Sequence, residues 1–323
     1  MPEEKPGISA SDRKMSMKFA TIAKRVLLFA AVNLLILTTI SIILSLFHVR
    51  GRIGDSNYGS LMIFCLIWGM GGAFVSLAMS RLMAKWFMGV KVIDPETRDP
   101  QLAGLVQMVH ELAGKAGLPV MPEVGFYESP DVNAFATGPS RSRSLVAVST
   151  GLLQSMRREE IQGVVGHEIA HVANGDMVTM TLLQGVINAF VMFFARILAF
   201  AVSQALRSRD DRGGGNYFVQ FLLIQLFQFV FSILGFMVVA WFSRWREFRA
   251  DAGGAAYAGR HRMIGALQRL GQLHGRSAEP ADRENGAAAF QAFMIFGQGG
   301  GLAQLFATHP PIEQRIARLQ AGQ

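Results

Sequence analysis

Four long apolar runs alternate with polar stretches along the chain, at residues 26–47, 58–84, 177–206 and 217–242. Each meets the ~20 residues that a helix needs to cross a ~30 Å hydrocarbon core. Residues 48–57 join the first pair, and a charged, Gly-rich segment (207–216) joins the second, so the pattern predicts two helical hairpins. The second pair carries Gln184, Asn188, Arg196, Gln220, Gln225 and Gln228. Such side chains are costly facing lipid, so these runs face each other, line a cavity or extend past the bilayer.

Outside the hairpins the pattern becomes that of an α+β unit. Residues 100–116 set Leu102, Leu105, Val109 and Leu112 on one helical stripe that stops at Gly117. Residues 123–127 and 144–148 read as short strands, with 133–138 a loop between them. A helix is expected over 155–174, closed by Gly175. Two more are expected over 261–273 and 310–319, the latter with Pro311 in its first turn. Residues 275–301, Gly/Ala-rich and ending in three glycines, read as a mobile loop. The expected fold is therefore mainly α and integral to a membrane. Four transmembrane helices join a small α+β domain split into 85–176 and 243–323, behind an N-terminal tail of residues 1–25.

Composition sharpens this picture. Charged residues make up 17% and apolar residues 51%, against roughly 25% charged in a typical soluble domain. The net charge of +8 would also suit a nucleic-acid binder. Here, however, the positive residues bracket the apolar runs, as orientation signals do. Lys5, Arg13, Lys14, Lys18, Lys24 and Arg25 precede the first run, Arg50 and Arg52 lie in the first hairpin loop, and Arg81, Lys85 and Lys91 follow the second run. The partner implied is a lipid bilayer and not nucleic acid, with both termini and the α+β domain in the cytoplasm. Cys65 is the single cysteine, which rules out an intrachain disulfide and fits a reducing compartment. The polar N-terminal stretch is long and its apolar run exceeds a signal-peptide core, so a retained signal anchor is expected.

The chemistry-bearing string is HEIAH, residues 167–171. Histidines four apart lie one helical turn apart on one face, so His167 and His171 can reach one ion. Glu168 lies about 100° round the helix, placed to take a proton from water rather than to share that vertex. With 7 histidines in 323 residues, chance puts this spacing in fewer than about one such chain in a hundred. A catalytic zinc needs a third ligand and an open position. Glu247 and Asp251 share a helical face in SRWREFRAD. Alone, that string reads as an exposed charge pattern with Arg244, Arg246 and Arg249. Beside HEIAH, Glu247 reads as the third ligand, and Asp251 as the acceptor for a ligand histidine's other ring nitrogen.

HEIAHVANGD (167–176) and SRWREFRADAGGA (243–255), with NAFATG (133–138) and THPPIEQRIARL (308–319), resemble the HtpX family of bacterial membrane heat-shock proteases. That family is a gluzincin group related to the CAAX prenyl endopeptidases and the mitochondrial Oma protease. The resemblance covers most of residues 100–320 and the four-run layout. It implies a zincin-like domain with one Zn2+ per chain, on the cytoplasmic side of a bacterial inner membrane, acting on misfolded or damaged membrane proteins. It also implies that Asn133, Ala134, Phe135 and Ala136 lie on an edge strand that pairs with an extended polypeptide substrate. His309 is implied near the metal, donating to the oxyanion or capping the open position, with Arg315 supporting it. A non-proteolytic zinc-stabilised chaperone or scaffold, or a processing endopeptidase for lipidated C-termini, are the competing readings. Homo-oligomers or quality-control partners are left open.

Overall fold

The computed structural model describes residues 58–205, 217–277 and 307–322. The expected first span (26–47), the 207–216 loop and residues 278–301 of the Gly/Ala-rich loop lie outside the described residues. The unit Cys65–Gln323 holds the sheet and every described site residue.

Three helices among the described residues are long and apolar enough to cross a membrane. They are α1 (Tyr58–Phe87), α5 (Asp176–Ala205) and α6 (Tyr217–Ala258). Their large apolar side chains face outward, as at Phe74, Phe190, Phe229 and Trp241, a pattern that suits lipid and not water. The fourth run, expected as a span over about 217–242, is the first part of α6. Helix α6 continues unbroken through the polar string 243–258. At 1.5 Å per residue its 42 residues make a rod of about 63 Å, twice a ~30 Å hydrocarbon core.

The remaining elements are β1 (Lys91–Val92), α2 (Pro100–Lys115), β2 (Glu123–Tyr127), β3 (Ala134–Ser140), β4 (Arg143–Ser149), α3 (Thr150–Ser155), α4 (Arg158–Asn174), α7 (Arg260–Ser277) and α8 (Ile312–Gln320). The strands form one mixed sheet in the order β1-β2-β4-β3. Strand β4 runs parallel to β2 and antiparallel to β3. Being central, β4 is buried on both faces from Ser144 to Ser149. On one face Val124, Val146 and Val148 pack with Leu105, Val109 and Leu112 of α2 and Val165 and Ile169 of α4. On the other, Tyr127, Leu145 and Ala147 meet Ala84 of α1, with Phe135 against them.

Three local expectations shift. Residues 133–138, read from their own sequence as a loop and through the resemblance as an edge strand, contribute residues 134–138 to edge strand β3, with Asn133 just before it. The helix expected over 155–174 starts at Arg158, and a separate short helix α3 ends at Ser155, because Met156 and Arg157 are extended (ψ 147 and 158). The Arg269 guanidinium takes the Ser155 carbonyl, and the Glu160 carboxylate accepts the Arg157 N–H, so each helix end is satisfied separately. The terminal helix starts at Ile312 and not at residue 310, since Pro311 is its extended N-cap (ψ 138) and not part of its first turn.

Candidate metal centre

The site lies where α4 crosses α6, and small residues bring the two backbones together. A Cβ on Gly254 would come within 3.0 Å of the His167 backbone nitrogen, and one on Gly253 within 2.7 Å of the Ala170 Cβ. The contact of 166–170 with 253–254 carries the histidine face of α4 onto the carboxylate face of α6. His167, His171 and Glu247 converge there, each offering one atom, all within 4.8 Å of one another.

Each imidazole is oriented from behind. His167 Nδ1 lies 2.9 Å from Asp251 Oδ1, and His171 Nδ1 lies 2.6 Å from Asp176 Oδ2. A carboxylate there holds the ring proton on Nδ1 and leaves the Nε2 lone pair facing inward. The two Nε2 atoms are 3.1 Å apart, and lie 3.4 and 3.3 Å from Oε2 and Oε1 of Glu247. Glu247 is 1% exposed, yet neither of its carboxylate oxygens has a hydrogen bond. Two nitrogen and two oxygen lone pairs thus meet in a buried space, an arrangement that requires positive charge at its centre. The donor set of two imidazoles and one carboxylate fits zinc with a position left open.

The same crowding shows in the titration of the metal-free histidines. Burial opposes a charged His171, but the Asp176 and Glu247 carboxylates overcome it and push it up to about 9. Burial opposes the charged form of His167 as well, and Asp251 and Glu247 outweigh it to raise that group too.

The other expected site residues can now be placed. Glu168 points from α4 toward the sheet, where its Oε2 accepts the Ala136 N–H at 3.0 Å. Ala134, Phe135 and Ala136 lie on edge strand β3, and Asn133 immediately precedes it, its N–H donating to Ser149 Oγ. His309 Nδ1 comes within 2.9 Å of Glu247 Oε2, with most of its side chain exposed. Arg244 positions that segment by donating to the Ala307 carbonyl. Arg315 was expected to support His309, but its partner is Asp251. Its Nε and Nη2 fork onto both Asp251 oxygens at 2.7 and 2.6 Å.

Two residues had escaped sequence reasoning. Asp176 behind His171 is announced only by the NGD string. Gly175 takes a left-handed φ of 71° and turns the chain back so that Asp176, opening α5, meets the last turn of α4. Arg246, seen before only as part of a charge pattern, has its guanidinium 3.7 Å from Glu247 and 3.9 Å from Asp176.

Fold and site together define a membrane metallopeptidase, with a paired-histidine helix and a glutamate from a second helix. The chain belongs to peptidase family M48, whose model matches residues 100–323. It is 48% identical over 306 residues to the protease HtpX homolog of Paracidovorax citrulli (strain AAC00-1), covering 93% of this chain and 99% of the relative. It is also 48% identical over 299 residues to protease HtpX of Shewanella loihica (strain ATCC BAA-1088 / PV-4), covering 92% and 99%. Among solved structures, S. mikatae Ste24p superposes with a TM-score of 0.63 at 16% identity, a likeness of fold. That match covers 94% of this chain and 66%, just under two thirds, of the other.

Proposed function

We propose that the chain is a zinc-dependent endopeptidase that cleaves misfolded or damaged membrane proteins at the cytoplasmic face of a bacterial inner membrane. The observation that carries the reading is the buried meeting of His167, His171 and Glu247, to which only the largely exposed His309 ring, 2.9 Å from Glu247 Oε2, adds a further partner. One Zn2+ per chain would be held by these three residues. When bound there, it supplies a water of lowered pKa and polarises the scissile carbonyl.

The chain's own groups do the rest. Strand β3 is an edge, and an extended segment laid beside Ala134 and Ala136 gains main-chain hydrogen bonds without regard to its sequence. Glu168, now bonded to the Ala136 N–H, takes a proton from the attacking water and delivers it to the leaving amine. Asp251 and Asp176 hold the tautomers of His167 and His171, and Arg315 keeps Asp251 ionised and in place. His309, within reach of Glu247 yet largely exposed, is placed to cap the open position or to donate to a developing oxyanion. Helix α6 is continuous from its apolar run into Glu247, which supports a reaction close to the membrane surface with membrane proteins or their emerging segments as substrates.

Glu168→Gln tests the reading. The variant, purified in detergent, should keep one zinc per chain by elemental analysis and lose casein cleavage by at least about a hundredfold. Full turnover in that variant would remove Glu168 from the chemistry, and wild-type protein with no zinc-dependent cleavage would overturn the proposal itself.

A further inference from the structure

A groove of about 430 Å3 lies between the last turns of α1 and strand β3, where it is lined by Ala136, whose N–H bonds Glu168. Its α1 wall is Ser76, Ser80, Met83, Ala84 and Phe87, a stripe at helical spacing, and its β3 wall is Phe135 to Thr137. The mechanism uses none of the α1 residues. We propose that this groove is a specificity pocket that selects a bulky apolar side chain flanking the cleaved bond. The proposal rests on the endopeptidase reading and adds to it the substrate feature recognised.

Strand geometry leads there. Side chains alternate across a strand, so successive residues face opposite sides of the sheet. On β3, Ala134 and Ala136 pack into the core shared with α4, while Phe135 packs on the opposite face with Ala84 and Tyr127. A segment pairing with the free edge inherits the alternation. The residue level with Ala136, whose N–H bonds Glu168, turns toward the metal side. Its neighbours turn toward α1 and meet the groove.

The lining says what enters. Met83, Ala84, Phe87 and Phe135 are apolar, and methionine adapts to side chains of different shapes. Ser76 and Ser80 contribute short side chains to this wall, which leave the groove its width. The volume is within the usual range for ligand pockets (~300–1,000 Å3) and accommodates the largest side chains. The wall is also the end of a candidate membrane span, so a segment leaving the bilayer passes it with apolar residues to present.

The test digests unfolded casein with full-length, zinc-loaded protein in detergent and maps every cleavage by mass spectrometry. Wild type should show Leu, Phe and Met enriched several-fold at one position flanking the cut. Ser80→Phe, which fills the groove, should reduce cleavage at those sites by about tenfold or more while cuts beside Ala and Ser persist. Met83→Ala, which widens it, should shift the enrichment toward Trp. Casein cleavage without apolar enrichment, or the wild-type profile retained in both variants, overturns the pocket and leaves the endopeptidase reading standing. If wild type does not cut casein, both fall. If Ser80→Phe is wholly inactive, Met83→Ala decides by the same comparison.

Discussion

The ion pair between Arg315 and Asp251 carries a prediction that can be worked through. Helix α8 reaches the site through one side chain, whose guanidinium forks onto both Asp251 oxygens while both residues are at least nine-tenths buried. Such an arrangement contributes little over an apolar pair, yet removing one partner leaves a buried charge and typically costs about 3–5 kcal/mol. Asp251 retains His167 at 2.9 Å, so Arg315→Ala should fall at the low end, near 3 kcal/mol. For a domain of this size that is a loss of roughly 6–12 °C in Tm. Asp251→Ala should cost a similar amount, because Arg315 keeps only longer contacts, to His167 Nδ1 at 3.4 Å and Glu247 at 3.7 Å. The double variant should lose distinctly less than the sum, with a coupling of about 1–3 kcal/mol. Thermal and denaturant unfolding of the four proteins in detergent, each with zinc and with chelator, measures the cycle. Effects that add within about 0.5 kcal/mol would show that the pair is not coupled and that Arg315 does not hold Asp251.

Asp176→Asn should weaken zinc binding by about 10–100-fold while the fold persists, because the amide no longer fixes His171 as a carboxylate does; competition with a chromophoric chelator measures it, and unchanged affinity would remove Asp176 from the centre. Zinc affinity should also rise with pH. In the metal-free protein His171 is pushed up from near 6.5 to about 9 and His167 moves the same way, so at pH 7 binding must expel protons, and affinity gains about tenfold per unit of pH for each proton released. The linkage has a second sign. The raised histidines contribute stability to metal-free protein that is fully present below about 6.5 and is lost as pH rises through about 9. Chelated protein should therefore lose Tm between pH 7 and 9 while zinc-loaded protein does not, and the reverse order would contradict the structure.

What the sequence disclosed follows from how local each signal is. HEIAH is legible because the one-turn spacing of its histidines is a property of the helix alone. Glu247 became legible only through the chemistry of a zinc site, which asks for a third ligand that no local pattern supplies. Asp176 was hidden because its position depends on the left-handed turn at Gly175, which links two helices that each look complete. Strand β3 was hidden because AFATGPS lacks the β-branched alternation that marks a strand; its pairing with the apolar β4 and its bulge after Thr137 are tertiary facts. The role of Arg315 as support for His309 comes from the resemblance alone, whereas helix α8 turns it toward Asp251 of α6. The end of α6 lies beyond the apolar run for a different reason. Hydropathy falls at residue 243 because the surroundings change from lipid to protein and water, and a change of solvent does not end a helix.

The formal charges around the centre make one more prediction. Glu168, Glu247, Asp251 and Asp176 carry four negative charges, and Arg246 and Arg315 carry two positive ones. A divalent cation brings this set to neutrality, while without it the histidines must take up protons, in line with their raised affinities. The two arginines differ in what they touch. Arg315 is bonded to Asp251 at hydrogen-bond distance, so its loss disorganises the ligands. Arg246 stands 3.7 Å from a ligand oxygen with its Nε unbonded, so its main action on a bound cation is repulsion. Removing it as Arg246→Gln should tighten zinc binding, by on the order of 1–2 kcal/mol if screening is water-like (effective dielectric near 80) and by several kcal/mol at one near 20, so about tenfold or more in Kd. Competition titration with a chelator at pH 8 and at two salt concentrations measures the effect, which should shrink as salt rises. Weaker binding in Arg246→Gln, to the degree seen for Asp176→Asn, would mean that Arg246 acts by holding Asp176 and that repulsion is not its role.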